Sequence, residues 1–558
     1  MSSEPTSTTA KTDRLGALVA LARRLWWWAP LLFAAAYLVT LALQFNQLLA
    51  DTYLNADAAS APVIGQLFGA RTGHPLVILG HLGWYSTLLF ELGTRWLPLH
   101  RQIWEVSPYA MALCSAALMG WGAWRVAGRW AAAIAVAILI CASPGTLALL
   151  LALNDHAPTW FTVALLGAFV VLLEQRADSL PVLWLAALAV LVGLILGANA
   201  ASDILLTIAG AVPFLIAVGG AWAIHPGRRT ARAAVFALAS AVVAVASSVL
   251  VHALMRHENV ISASDANTKL LVGAEAVGTN FKLWWQSIAV LGNGNFFGQT
   301  FSFTSAIAFA CAAITIAGVI LAVRIVRGEL VQTLAARRRR SREPEQERDP
   351  EQSMRLAWCL FWGSSLVLLS VAFLFSGIPE NLQSSRYLVG IIYAAAALVP
   401  LLGARSVLTR GVLTVAVTLF AFTGWLSLAQ HTIVAPASPT DGLAGAVEKI
   451  ATSEHLSVGY AGYWDAAPIT WATHLGVEVF PVDDCDGDLH LCAFELHIIT
   501  SWYTPRPRTK TFLLSDPAYP AEPSTPTPDL GKPIAVHQIG TVTMYVYPYD
   551  IAARLFAL

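Results

Sequence analysis

The sequence predicts a polytopic α-helical membrane protein that carries a C-terminal α/β domain outside the bilayer. Of its 558 residues, 57% are hydrophobic and only 12% are charged, whereas a soluble domain has about 25% charged residues. The mean hydropathy is +0.62. The apolar residues gather in runs of about 20, the length at which a helix crosses a bilayer. After residue 430 the composition changes to that of a soluble domain.

About eleven apolar runs are long enough to span the membrane. They lie near 29–49, 107–126, 131–152, 158–174, 180–198, 204–222, 233–254, 303–323, 356–376, 387–403 and 411–430. Together they define a predicted transmembrane domain over residues 29–430.

The basic residues predict the orientation of these spans. Lys11, Arg14 and Arg24 precede the first run, so the positive-inside rule places the N-terminal segment 1–28 in the cytoplasm. If the spans alternate, every second gap should be basic, and these gaps do hold arginines, from Arg125 onward. The first run is therefore expected to be an uncleaved anchor of a multi-pass protein in the plasma (inner) membrane.

Three long gaps then face outward: the first loop (50–106), the second loop (255–302) and the tail (431–558). Within the first loop, His81 and Glu91 make the apolar stretch 76–97 more typical of an amphipathic helix at the membrane interface than of a further span. The cytoplasmic gap 328–355 contains four consecutive arginines and mixed charges, which predict a disordered loop near the inner leaflet.

The tail shows the patterns of a small α/β domain. We expect a helix over 444–452, and a Pro-rich loop over 517–533. Strands are predicted at 456–460, 477–482, 511–514 and 541–547, the last with clear alternation. About 125 residues suffice to bury a small core.

Cys485 and Cys492 lie in this exported domain, where oxidising conditions let disulfides persist. We predict that they form a disulfide that closes a small loop. A calcium loop is the alternative, because acidic residues at 484, 486, 488 and 495 follow the spacing of an EF-hand. That pattern lacks the usual glycine, since Leu489 stands at its position, and it lacks flanking helices.

Polar residues that could carry chemistry gather in the outward gaps. The first loop holds Asp51, Asp57 and His74, and a short gap between two spans holds Asp155 and His156. A further outward gap contains Asn199 and Asp203, and Arg386 opens a late span. Carboxylates serve as general bases or cation ligands, and an arginine binds phosphate through two hydrogen bonds.

Structural roles remain open for each of these residues. Asp57 and Asp155 are also typical helix N-caps, and Arg386 could extend its guanidinium to the interface for solvation alone. His74, next to Pro75, fits a turn. Tryptophans such as Trp84, Trp284 and Trp285 are typical of the interfacial aromatic belt, although they could also stack on sugars.

The layout resembles the GT-C superfamily of polyprenyl-phosphate-sugar-dependent glycosyltransferases, which includes protein O-mannosyltransferases and aminoarabinose transferases. The resemblance rests on Asp57 in Asn55-Ala-Asp57-Ala-Ala-Ser60 after the first span, on Asp155 in the next outward gap, and on Arg386 in Ser385-Arg386-Tyr387-Leu388. The tail phrase 459–470 is also similar to some bacterial members.

The resemblance implies an inverting sugar transfer from a polyprenyl-phosphate donor to a glycan, lipid or protein acceptor of the cell envelope. Asp57 would be the catalytic base, and Arg386 would bind the donor phosphate. Asp155, His156 and His74 would orient substrate or a metal. The first loop lacks two adjacent acidic residues, so the sequence leaves open whether the protein needs a divalent cation. It predicts no other cofactor. Membrane lipid is an expected partner, and nucleic acid is not.

Two other functions remain as alternatives. A transporter or flippase of a lipid-linked envelope precursor would also be polytopic, but the sequence shows no internal repeat and no paired charges within the spans. A non-catalytic membrane protein with an exported binding domain would share the same layout.

Overall fold

The computed structural model describes residues 26–51, 56–71, 73–79, 84–104, 106–142, 156–201, 203–263, 271–340, 350–379, 381–404, 406–429, 440–485, 490–518 and 526–556. Its first nine helices are α1 (Ala29–Asp51), α2 (Ala56–Leu67), α3 (Trp84–Thr94), α4 (Arg101–Trp104), α5 (Val106–Ala127), α6 (Arg129–Ile140), α7 (Ala157–Arg176), α8 (Val182–Ala200) and α9 (Ile204–Leu206). The others are α10 (Val212–Ile224), α11 (Arg228–His257), α12 (Ala274–Leu291), α13 (Phe303–Arg340), α14 (Pro350–Phe375), α15 (Val389–Leu398), α16 (Val407–Ala429), α17 (Thr440–Glu454) and α18 (Tyr463–Ala472).

The chain is a multi-pass membrane protein. Within the described residues, nine helical segments are long and apolar enough to cross a bilayer, and they coincide with nine of the predicted spans. The other two predictions fall on α5 and α6. Because residues 143–155, which follow α6, lie outside the described residues, the count of about eleven stays a prediction.

In the gap 328–355, which the sequence predicts to be cytoplasmic, the described residues 328–340 and 350–355 are helical, so the prediction of a disordered loop was wrong for them. Helix α13 continues to Arg340, and α14 begins at Pro350. Residues 328–340 are rich in Leu, Ala and Arg, which are strong helix formers. An ion pair of 2.7 Å between Arg355 and Glu329 joins the two helices.

Helices α8 and α11 approach each other closely because small residues line their contact. Gly193 and Gly197 form a Gly-x-x-x-Gly motif on α8, which in membranes lets two helix backbones pack together. A Cβ atom at Gly197 would lie 2.3 Å from the carbonyl oxygen of Ala244 on α11. In lipid the hydrophobic effect does not drive two helices together, so close van der Waals packing of this kind stabilises their association.

The tail forms an α/β domain around one sheet. The strands of the described residues are β1 (Leu76–Leu79), β2 (Val260–Ala263), β3 (Val458–Ala461), β4 (Glu478–Cys485), β5 (His490–Ala493), β6 (Ile498–Ile499), β7 (Thr511–Ser515), β8 (Ala535–Ile539) and β9 (Val542–Tyr547). Six of them form a sheet in the order β5-β4-β3-β7-β9-β8. Strand β3 is parallel to both β4 and β7, and α18 makes the crossover from β3 to β4.

The predicted helix and all four predicted strands of the tail are present, each within a few residues. Helix α18 and strands β5, β6 and β8 were missed. Cys485 and Cys492 form a disulfide, with an S–S distance of 1.98 Å, that closes the hairpin of β4 and β5. Of the rival calcium loop, Asp486 and Asp488 lie outside the described residues.

A second, three-stranded sheet joins the first loop, the second loop and the tail. Strand β1 pairs in parallel with β2 and antiparallel with β6. The three long gaps that the sequence assigns to one side of the membrane therefore lie together.

This pairing corrects the prediction of a single interfacial helix over 76–97. Residues 76–79 are the strand β1, and among the described residues of this stretch the helix covers 84–94. Glu91 does not face solvent but is fully buried, with its Cβ against Gly65 of α2. Burial raises the pKa of Glu91 to about 9, so this carboxyl group keeps its proton at neutral pH.

Candidate active site

Asp57 lies in the first turn of α2, in the loop that follows the first span. An acidic residue at this position interacts favourably with the positive end of the helix dipole. Its neighbours Ala56, Ala58 and Ala59 are buried, while Asp57 itself is half-buried. The Tyr463 hydroxyl donates a hydrogen bond of 2.6 Å to Asp57 Oδ1. The predicted base is thus oriented by a residue of the tail.

Tyr463 is the first residue of α18 and is held by an aromatic cluster. Its ring stacks on Phe494 with centroids 4.8 Å apart, and His497 lies 5.9 Å away. Further along the same helix, the Trp471 indole donates a 3.0 Å hydrogen bond to the carbonyl oxygen of Leu99. These contacts dock the tail firmly onto the first loop.

A cavity beside Tyr463 lies between α2 and the tail. Ser60, His497 and Trp502 line it, and its volume is about 10 Å³. That volume holds about one water molecule, so a sugar does not fit into it.

A buried hydrogen-bond network surrounds His156, the residue before α7. His156 Nδ1 lies 2.8 Å from Asp203 Oδ2, and both side chains are at most 2% exposed. Thr159 also donates its hydroxyl proton to Asp203 Oδ2, and the backbone N–H of Leu205 donates to Asp203 Oδ1 at 2.9 Å. Asp203 therefore caps α9 and holds the imidazole at the same time.

The turn that carries Arg386 is a 3₁₀ helix over Leu382–Leu388, and it packs beside His156. The rings of His156 and Tyr387 have centroids 5.3 Å apart. Arg386 Cζ lies 5.1 Å from the centroid of the same tyrosine ring, and Arg386 Nη2 donates a 3.1 Å hydrogen bond to the Tyr387 hydroxyl. Tyr387 thus links the predicted phosphate-binding arginine to the histidine network.

The structure brings some of the predicted residues together and leaves others apart. His156 and Arg386 share Tyr387, and Asp57 contacts Tyr463. His74 lies in the loop before β1, and within the described residues it forms no hydrogen bond with Asp57. Asp155 lies outside the described residues.

The described aromatic residues of the second loop pack against one another. Trp284 stacks on Phe281, and Trp285 contacts Phe297 edge-on. The side chain of Trp84 lies outside the described part. Across the described ranges, His, Cys, Asp and Glu side chains form no group of three or more that could hold a metal ion; the divalent cation stays a prediction.

Three residues that shape the site received no role from the sequence. Asp203 was placed in an outward gap, and Tyr387 and Tyr463 lay within quoted motifs, but no local pattern shows their contacts. The partner of each is remote in sequence, as with Tyr463 and Asp57. A weak signal existed for Asp203, since an Asp directly before an apolar helix is a favoured N-cap.

The fold resembles that of solved membrane glycosyltransferases. A crystal structure of ArnT from Cupriavidus metallidurans bound to undecaprenyl phosphate matches with a TM-score of 0.50 and 13% identity, over 92% of this chain and 97% of that chain. The chain shares the fold of this GT-C structure.

Two further GT-C structures match with lower scores. ArnT from the same organism in the apo state has a TM-score of 0.45 and 13% identity, over 98% of this chain and 100% of that one. The archaeal oligosaccharyltransferase AglB from Archaeoglobus fulgidus, in complex with an inhibitory peptide and a dolichol-phosphate, has a TM-score of 0.43 and 13% identity. The match covers 81% of this chain and 64% of that one. No protein-family model and no curated protein matches the chain.

Proposed function

We propose that this GT-C protein is a glycosyltransferase that transfers a sugar from a polyprenyl-phosphate donor to a cell-envelope acceptor, with inversion at the anomeric carbon. The observation that supports this most is the shared fold with ArnT over nearly the whole length of both chains. The ArnT structure is bound to undecaprenyl phosphate, a lipid of the class that we propose for the donor.

In this proposal Asp57 removes the proton of an acceptor hydroxyl. The hydroxyl oxygen attacks the anomeric carbon, and the bond between that carbon and the phosphate oxygen breaks with its electron pair going to the phosphate. The Tyr463 hydroxyl donates a hydrogen bond to Asp57 Oδ1 and so orients the carboxylate that takes the proton. A positioned general base contributes about 10²–10⁴-fold to a rate.

Arg386 binds the phosphate of the donor in the same scheme. Contacts with the Tyr387 ring and hydroxyl orient its guanidinium, and such preorientation strengthens the stabilisation of charge that develops on a leaving group. A planar guanidinium also suits the paired oxygens of a phosphate. The donor lipid would lie with its phosphate at headgroup level and its tail in the bilayer.

We place this reaction on the outer face of the plasma membrane, with the N-terminus in the cytoplasm. The pairing of β1 with β2 and β6, which gathers the first loop, the second loop and the tail, supports a shared side for them. Labelling of single cysteines at positions 57 and 335 from either side of the membrane tests this orientation, with position 57 reached from outside only.

Substitution of the two proposed site residues tests the function itself. Asp57→Asn and Arg386→Ala should each lower sugar transfer from an undecaprenyl-phosphate sugar at least 100-fold, measured on the purified full chain in lipid nanodiscs. Asp51→Asn is the matched control, because Asp51 ends α1 at the start of the same loop and has no assigned role; it should keep wild-type activity.

Full transfer by both variants would refute the proposed roles. Movement of the intact lipid across vesicle bilayers, without transfer, would instead favour the flippase alternative. Elution of each variant at the wild-type position in size-exclusion chromatography shows that the fold is intact.

A further inference from the structure

His156 has one ring nitrogen whose partner is missing from the described residues. Its side chain is 2% exposed, and Nε2 is buried with no hydrogen-bond partner there. Buried polar nitrogens almost always have a partner, and leaving one without costs free energy. The position of this atom, on the ring edge opposite Asp203, points to a group that binds from outside the network.

The chemistry of that missing group follows from Asp203. An ionised carboxylate only accepts hydrogen bonds, and this one receives them from Thr159, from the N–H of Leu205 and from His156. We take Asp203 to be ionised and His156 to be neutral; Nδ1 is then the protonated nitrogen, and Nε2 presents a lone pair. The missing partner is a hydrogen-bond donor, such as a hydroxyl group, and not an acceptor-only phosphate oxygen.

The location of the imidazole indicates which hydroxyl this is. The centroid of the Tyr387 ring lies 5.3 Å from the centroid of the imidazole ring and 5.1 Å from Cζ of Arg386. Arg386 is the proposed site for the donor phosphate, and the glycosyl group is bonded directly to that phosphate. A sugar bonded to that phosphate would therefore lie near the tyrosine that also contacts His156.

We propose that His156 Nε2 accepts a hydrogen bond from a hydroxyl of the glycosyl group in the polyprenyl-phosphate donor, and that Asp203 is the positioning residue that fixes this tautomer. The inference rests on the proposed function, because it takes the donor phosphate to bind at Arg386. In this proposal His156, held by Asp203, recognises the sugar, and Arg386 recognises the phosphate.

Binding of two lipids to the full chain in nanodiscs separates these roles. Undecaprenyl phosphate carries no sugar, whereas undecaprenyl-phosphate glucose carries the same phosphate with ring hydroxyls. In His156→Asn the side-chain amide can still donate to Asp203, but nothing replaces Nε2. This variant should bind the glucose-bearing lipid about 10-fold more weakly and the bare phosphate lipid within twofold of wild type.

His252→Asn is the matched control. His252 Nδ1 also lies at hydrogen-bond distance from a fixed oxygen, the carbonyl of Ser248 at 2.8 Å, but it belongs to α11 and not to the turn of Arg386. This variant should bind both lipids as wild type does.

Histidine ¹⁵N NMR of the full chain gives a readout that a merely structural role would not move. We expect Nδ1 of His156 to be protonated and Nε2 unprotonated, with the Nε2 resonance shifting on addition of the glucose-bearing lipid only. Asp203→Asn keeps a good N-cap but can turn its amide N–H toward Nδ1, which moves the proton to Nε2. The lipid-dependent shift should then be lost.

The outcomes distinguish this inference from the function on which it rests. If wild type binds neither lipid, the proposed function fails. If it binds both, but His156→Asn weakens them equally or not at all, the assignment of His156 to the sugar is wrong. A protonated Nε2 in the wild type, or an Nε2 resonance that neither lipid shifts, would overturn it as well.

Discussion

Tyr463 orients Asp57 through one hydrogen bond of 2.6 Å that crosses from the tail to the first loop. A hydrogen bond to a charged group contributes about 1.5–3 kcal/mol, and here it fixes the orientation of the Asp57 carboxylate. The reactivity of the proposed base therefore depends on a residue of a different domain.

Tyr463→Phe should lower kcat for sugar transfer about 10-fold and leave KM nearly unchanged, because the phenyl ring keeps its stacking on Phe494 but no longer orients Asp57. Steady-state kinetics on the full chain measures this. Tyr503→Phe is the control, since it removes a comparable tail hydrogen bond, from the Tyr503 hydroxyl to Pro481 O at 2.5 Å, away from Asp57. Equal kinetics for the two variants would contradict the assignment.

Asp465 provides a pH-dependent prediction at the same scale. This residue of α18 is 2% exposed. Burial, with a smaller contribution from Asp516, raises its pKa from 3.8 to about 7. Because the folded state holds this proton more tightly than the unfolded state, stability falls as the pH rises from about 4 to about 7, by on the order of 4 kcal/mol.

Asp465→Asn removes that ionisation. Its melting temperature should match wild type near pH 4 and exceed it at pH 7 and above, in thermal unfolding of the detergent-solubilised full chain. Glu448→Gln, at an exposed site on α17, should show no such pH-dependent difference. A constant offset between Asp465→Asn and wild type at all pH values would speak against the burial of a proton.

At the scale of elements, local patterns predicted most helices but few of their contacts. The spans could be predicted because twenty apolar residues are a local signal, as at 204–222. The extension of α13 to Arg340 was missed because charge patterning suggested disorder, whereas the helix propensity of Ala and Arg prevailed. Strand β1 was missed because Leu76–Leu79 is four residues long, and a short apolar run does not distinguish strand from helix.

The close contact between α8 and α11 predicts that one added methyl group at Gly197 would push the two helices apart. In Gly197→Ala the new Cβ would lie 2.3 Å from a backbone oxygen of α11, so the helices must move apart, at a cost of about 1–3 kcal/mol. We expect a lower melting temperature for the solubilised protein. Gly219→Ala, on α10, meets no atom within 4 Å and should not lower it.

At the scale of the whole molecule, the sheet of β2, β1 and β6 connects the ends of the chain with its middle. Val77 and Ile498 are directly opposite in the antiparallel register of β1 and β6, so their side chains point to the same face. No sequence pattern predicts that these distant residues meet. The separate predictions of outward gaps gave only a common side of the membrane for Asp57 and Arg386.

The variant Val77→Cys with Ile498→Cys should form a disulfide under mild oxidation. Mass spectrometry of unreduced tryptic peptides should find the peptide of residue 77 joined to that of residue 498. The control combines Val77→Cys with Ile499→Cys, which places the thiols on opposite faces of the sheet and should give little cross-linking. Equal yields from both variants would show that the register is different.

The position of β1 in this sheet also fixes when the site can be completed during synthesis. A chain is made from its N-terminus, so β1 emerges long before β2, and β6, in the tail, emerges after both. Until then β1 has an unpaired edge, and Asp57 lacks the hydroxyl of Tyr463. The loop that carries the proposed base is therefore complete only after the tail has been synthesised and folded, which withholds activity from a chain that still lacks the tail.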